Sequence, residues 1–165
     1  MMHKTMNEEL KENLIRKIEA GFTEKVKYPG DKRISTDDFE LRGIVGKWQN
    51  LSYETIADNI EINFLTPEGL KYYLPAYILA VIHYPEAVDI GNRIIRHLTP
   101  PHGVAWKTQK LNMGADFTPE QKAAIRAFFE AYPQICPDGL GEDIGDQSSL
   151  FATWQRGVEY WQFYG

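Results

Sequence analysis

From Phe64 to Tyr84 the chain reads FLTPEGLKYYLPAYILAVIHY, and this stretch limits the possible folds more than any other. Thr66 has a hydroxyl suited to capping. Pro67 fits the first helical position, where its missing N–H costs nothing, and Glu68 favours the positive end of the helix dipole. Leu65 before the cap and Leu70 at the fourth helical position have the spacing of a hydrophobic staple. At 100° per residue Leu70, Tyr73, Leu74, Tyr77, Val81 and Tyr84 share a face, while Tyr72, Leu79 and Ile82 fall on the others. A helix apolar nearly all round belongs in the middle of a domain. The fold class that follows is mainly α: a single-domain helical bundle of residues 1–165 around a proline-bent central helix, with at most a short β pair and a flexible tail at 1–5.

A bilayer span requires roughly 20 apolar residues, and the charge-free run from Tyr72 to Ile82 holds about half that, with Glu68 and Lys71 just before it. The stretch is therefore a core helix. Pro75 inside it removes one backbone hydrogen bond and crowds the carbonyl of Lys71, so a kink or break is predicted there. Such a bend wraps the helix around the core; alternatively it opens a pocket beside Tyr72, Tyr73 and Tyr77.

Net charge is −5 and the pI about 5.4. With no Lys/Arg run flanked by aromatics, this argues against a nucleic-acid or anionic-membrane surface. The one cysteine, Cys136, has no partner for an internal disulfide, and no signal-peptide pattern opens the chain, so the expected location is cytoplasmic.

Elsewhere, Thr5 and Glu8 form a capping box for a helix from Met6 to Ala20, with Leu10, Leu14, Ile18 and Phe22 stepping along it and Gly21 placed to end it. A loop with a short extended piece at Lys25 to Tyr28 follows. Ser35 or Thr36 opens a helix carrying Phe39, Leu41, Ile44, Val45 and Trp48, weakened by Gly43 and Gly46. Ser52 caps a short helix reaching Ile60. Asp89 to Leu98 forms a helix with Ile90, Ile94, Ile95 and Leu98 inward, and Thr99-Pro100-Pro101 ends it. Val104 to Asp116 reads as a long loop with one strand near Trp106 to Leu111. Thr118-Pro119-Glu120-Gln121 starts a helix with Ile125, Phe128, Phe129 and Tyr132 inward, which Pro133 stops. After a glycine-rich, acidic loop at 133–147, a last helix from Ser148 to Gln162 places Leu150, Phe151, Trp154, Val158 and Trp161 on one side.

Gly46-Lys47-Trp48, Phe64-Leu65-Thr66-Pro67-Glu68-Gly69, Tyr72-Tyr73-Leu74-Pro75-Ala76-Tyr77, Phe117-Thr118-Pro119-Glu120-Gln121 and Ala124-Ile125 together resemble an uncharacterised family of small bacterial proteins, a domain of unknown function. The likeness spans about Gly46 to Trp161, and the leucine-proline-alanine-aromatic core is its most specific part. It implies one compact, mostly helical bacterial domain and carries no functional residues with it.

Motifs for known chemistry are missing. The four histidines, His3, His83, His97 and His102, include no HExxH or finger spacing. Grouping His97 and His102 with Glu86 or Asp89 is weaker than placing His83 and His97 at helix C-termini, where a partly charged imidazole is favourable. Asp138 to Asp146 fails the EF-hand pattern: position three is Leu140 and position twelve is Ser149. No GxSxG, Walker lysine loop or GxGxxG occurs. Cys136 lies between prolines without a basic neighbour in sequence to activate it, and Asp37-Asp38 and Glu142-Asp143 read as solvated carboxylates. No catalytic residue, metal site or cofactor is expected.

An aromatic surplus remains: Tyr160, Phe163 and Tyr164, with Trp48 and Trp106. If exposed, these mark a partner surface or dimer interface, where Tyr and Trp are enriched; a docked terminal helix buries them instead. The function expected is a non-enzymatic protein-interaction module of immunity or scaffold type, acting on a protein partner or by self-association. The alternative is a small-ligand binder or enzyme using a pocket lined by Tyr72, Tyr73, Tyr77 and His83.

Overall fold

The computed structural model describes residues 5–22, 44, 46–62, 65–101, 103, 117–140 and 149–164. The extended piece at 25–28, the helix expected from Ser35 or Thr36 up to Leu41, the strand at 106–111 and the 141–147 part of the acidic loop lie outside these residues. Among the described residues six α-helices occur and no β-strand: α1 (Met6–Gly21), α2 (Tyr53–Ala57), α3 (Pro67–His83), α4 (Val88–His97), α5 (Pro119–Ile135) and α6 (Leu150–Tyr164), with a 3₁₀ turn at Trp48–Asn50. The protein is a mainly α bundle.

Helix starts follow the side-chain chemistry closely. Thr5 and Glu8 close a capping box on α1, Thr66 accepts from the amide of Gly69 on α3, and Thr118 and Gln121 close a second box on α5. Each cap satisfies amides that the first helical turn leaves without partners.

Helix α3 occupies the centre. Eleven of its residues are buried, including an unbroken run from Tyr72 to Ile78. It packs against α1, α4, α2 and the 3₁₀ turn, while α5 closes the far side through α1 and α6. Ile90, Ile94, Ile95 and Leu98 of α4 and its cap all point inward, as their spacing predicts.

Of the kink or break expected at Pro75, the break does not occur: α3 stays helical from Pro67 to His83. Two expectations change. Pro133 does not stop α5, which runs on to Ile135. Pro133 has no N–H for the carbonyl of Phe129, four residues earlier, and the Trp154 indole N–H serves that carbonyl instead, at 2.7 Å. Finally, the helix expected to carry Ile44 and Trp48 does not include Ile44, Gly46 or Lys47, and Gly46 turns the chain at φ 76°, a left-handed value natural to glycine.

Gly21 is the last residue of α1, with Phe22 as its cap. Its glycine is a matter of approach rather than handedness. A Cβ there would sit 3.2 Å from the carbonyl oxygen of Glu120, so α1 and the start of α5 meet nearly backbone to backbone. At the opposite end, the indole N–H of Trp161 donates to the carbonyl of Leu98 at 2.9 Å and satisfies the C-terminus of α4.

Candidate functional site

The three tyrosines of α3 all reach one segment, residues 46–62, which crosses the helix. Tyr77 is fully buried and its hydroxyl donates to the carbonyl of Asn59 at 2.6 Å. Tyr73, equally buried, donates to the carbonyl of Gly46 at 2.7 Å. The hydroxyl of Tyr72 accepts from the amide of Trp48 at 3.4 Å. Burial drives the Tyr77 phenol well above the ordinary tyrosine range, so it stays a neutral donor at any physiological pH. These phenols act as tethers.

The tethered segment and the C-terminal half of α3 form the two walls of a groove of about 190 Å³. Trp48, Gln49, Leu51 and Ile56 line one wall, and Ala76, Leu79, Ala80 and His83 the other. Leu79 is one of the α3 residues that fall off the main apolar stripe; it is half-buried and turned to this groove. Beside it the rings of Tyr53 and Tyr84 stack at 3.9 Å with 25° between their planes. Tyr84 is 42% exposed, which makes it one of the few large apolar side chains that the described residues leave open to water.

Of the residues singled out from sequence, His83 lines the groove, and it is exposed there as the last residue of α3. Tyr72, Tyr73 and Tyr77 hold its outer wall in place but are not among the described residues that line it. Tyr160 is buried, edge-on to Trp161. Phe163 is 61% exposed near the end of α6. The side chain of Tyr164 lies outside the description, and no residue of α6 is among the described lining of the groove. The sequence does not single out Leu51, which precedes α2, or Tyr53 and Ile56, since α2 is too short to carry a readable periodicity.

Cys136 is buried against Tyr132, and burial pushes its thiol up to about 11, away from reactivity. The Tyr132 hydroxyl lies 2.9 Å from the side-chain amide of Asn92, joining α5 to α4. Among the described residues no three His, Cys, Asp or Glu side chains gather in a metal-binding group, and no helix is long and apolar enough to cross a membrane.

No curated protein and no solved structure matches the chain. Residues 11–164 match a family described as "Family of unknown function (DUF6714)", a span that takes in α3, both groove walls and all three tyrosine tethers, and the chain belongs to that family.

Proposed function

We propose that this protein is a non-enzymatic interaction module that seats an apolar side chain of a protein partner in the groove between residues 46–62 and α3. The observation that carries this reading is the stacked Tyr53–Tyr84 pair beside a groove with apolar walls. Half-exposed tyrosines next to a small apolar depression are the composition of a protein hot spot. Volume favours the same reading. Sites that enclose a small molecule measure roughly 300–1,000 Å³, and this groove, at 190 Å³, suits one or two side chains. An immunity or scaffold role in a bacterial cytoplasm is the context we attach to it, with self-association as the homotypic form.

The test is affinity capture and light scattering on wild type, Leu79→Lys and Tyr84→Ala. The long lysine stem keeps its charge in water while spoiling the groove wall, so the variant retains its fold. A stoichiometric partner or dimer that wild type holds and both variants lose supports the reading. A wild-type monomer that captures nothing, or variants that bind equally well, overturns it.

His83 at the groove edge supports a second reading, a small-ligand binder or enzyme. A ligand that prefers the native state must raise the melting temperature. A thermal-shift screen with metabolites and metals that stays flat removes this reading.

A further inference from the structure

Among the described residues that line the groove only Gln49 and His83 are polar, and the charge lies beside it. Between Lys47 and Asp89 the chain carries six carboxylates against two lysines, which accounts for four of its five net negative charges. Two of those carboxylates stand within two residues of the stacked rings. Glu54 follows Tyr53 on α2, and Glu86 lies in the turn that the Ala87 amide closes on the Tyr84 carbonyl at 3.0 Å. Both are exposed. The acid excess is partial: Lys47 stands beside Trp48, and Lys11 of α1 acts with Glu86 on the Cys136 thiol. Tyr53 covers one face of the Tyr84 ring, yet Tyr84 is still 42% exposed, so its other face meets water. An aromatic face turned to water attracts a cation above it, arginine most often.

We infer that the groove takes a basic segment of a protein partner: an apolar side chain enters between Ile56 and Leu79, and a flanking arginine lies over Tyr84 with Glu54 and Glu86 near it. This deepens the partner-seat reading and rests on it. Each part comes from a different observation. The apolar walls supply the burial. The open ring favours a guanidinium over an ammonium, because a planar cation also stacks. The carboxylates select the sign of the partner's charge. Rim charges act mainly by steering the encounter and rejecting wrong partners, so the preference weakens as salt rises. The same charges disfavour a second copy of the chain, which brings a net charge of −5 of its own.

The test is titration of the full chain with four synthetic peptides that share one leucine and differ in its flanks: arginine, lysine, glutamine or glutamate. Binding is followed by the amide resonances of Ala76, Leu79 and Ala80. The arginine-flanked peptide is expected to bind about tenfold tighter than the glutamine-flanked one at about 50 mM salt, with the glutamate-flanked one weaker still, and the gap is expected to close to about twofold at about 0.5 M. Glu54→Gln combined with Glu86→Gln changes exposed positions, where folding stability is nearly indifferent, and is expected to narrow the low-salt gap about threefold while leaving the glutamine-flanked peptide unaffected. Tyr84→Leu is expected to remove the advantage of arginine over lysine, and Tyr84→Phe to retain it. Arginine and glutamine flanks that bind alike, or a gap unmoved by the two glutamate changes, overturn the inference and leave the groove reading standing. Resonance shifts spread evenly over the chain overturn it as well, and so does a dimer that Leu79→Lys dissociates, which would put a second copy in the groove. No shift from any of the four peptides at millimolar concentration removes the groove reading along with it.

Discussion

Trp154 supplies to Phe129 the hydrogen bond that Pro133 withholds: its indole N–H sits 2.7 Å from the one carbonyl of α5 that a proline four residues on leaves unserved. One helix thus repairs another across the α5–α6 contact, and the repair allows α5 to continue for a further half turn.

Trp154→Phe should therefore lower stability by about 1–3 kcal/mol, the range for leaving a buried acceptor without its donor. Chemical denaturation measures it. Adding Pro133→Ala to that variant should recover part of the loss, since the restored amide can serve Phe129 itself. A double variant no more stable than Trp154→Phe would show that packing of the indole, and not the bond, matters.

Tyr77→Phe keeps the ring and removes the donor to Asn59. The expected cost is about 1 kcal/mol, read as a lower denaturation midpoint at unchanged slope. A clearly smaller slope would mean that residues 46–62 no longer pack on α3 in the native state.

Gly157→Ala should destabilise despite the better helix propensity of alanine. A Cβ at Gly157 lands on the ring of Phe129 and the hydroxyl of Thr99, both in the tightly packed meeting of α6 with α5 and the end of α4. Overpacking costs roughly 1–3 kcal/mol against a propensity gain of about 1. A melting temperature at or above wild type would show that the two neighbours yield without strain.

Cys136 gives a pH signature. Its thiol ionises near 9 when exposed, while burial holds it neutral in the native protein up to about 11. A raised pKa on an acid means that the unfolded chain loses its proton first, so stability falls as pH rises from about 9 to 11. Cys136→Ala should flatten the lower part of that fall, below the pH at which the tyrosines of the unfolded chain begin to ionise, near the ordinary value of 10. The native thiol should also react with a disulfide reagent far more slowly than the denatured one.

How much of this was readable in the sequence depended on range. Thr66-Pro67 and Thr118-Pro119 start helices through atoms within three residues of one another, so both starts are visible in a short window. The burial of α3 was visible as well, because an apolar surface on every side leaves a helix nowhere else to go. Pro133 misled, since its remedy lies 21 residues away in Trp154. The tyrosines of α3 stand out in the sequence, but nothing local says that Tyr77 will meet the carbonyl of Asn59 on a chain segment folded back over it. The groove was half legible. His83 was named, but Leu79 and the Tyr53–Tyr84 pair gain their meaning only once α2 lies across the end of α3.

Tyr72, Tyr73 and Tyr77 grip only main-chain atoms of the segment they hold: one amide and two carbonyls. Main-chain atoms are the same whatever residue carries them. The grip is thus blind to which side chains the segment carries, so the exposed Gln49 can change without loosening the tethers, whereas Ile56 is fixed by its own burial in the core. A protein built this way keeps its attachment constant while leaving the exposed side chains of the segment open to drift, so relatives can share the mooring and differ in what it presents to solvent.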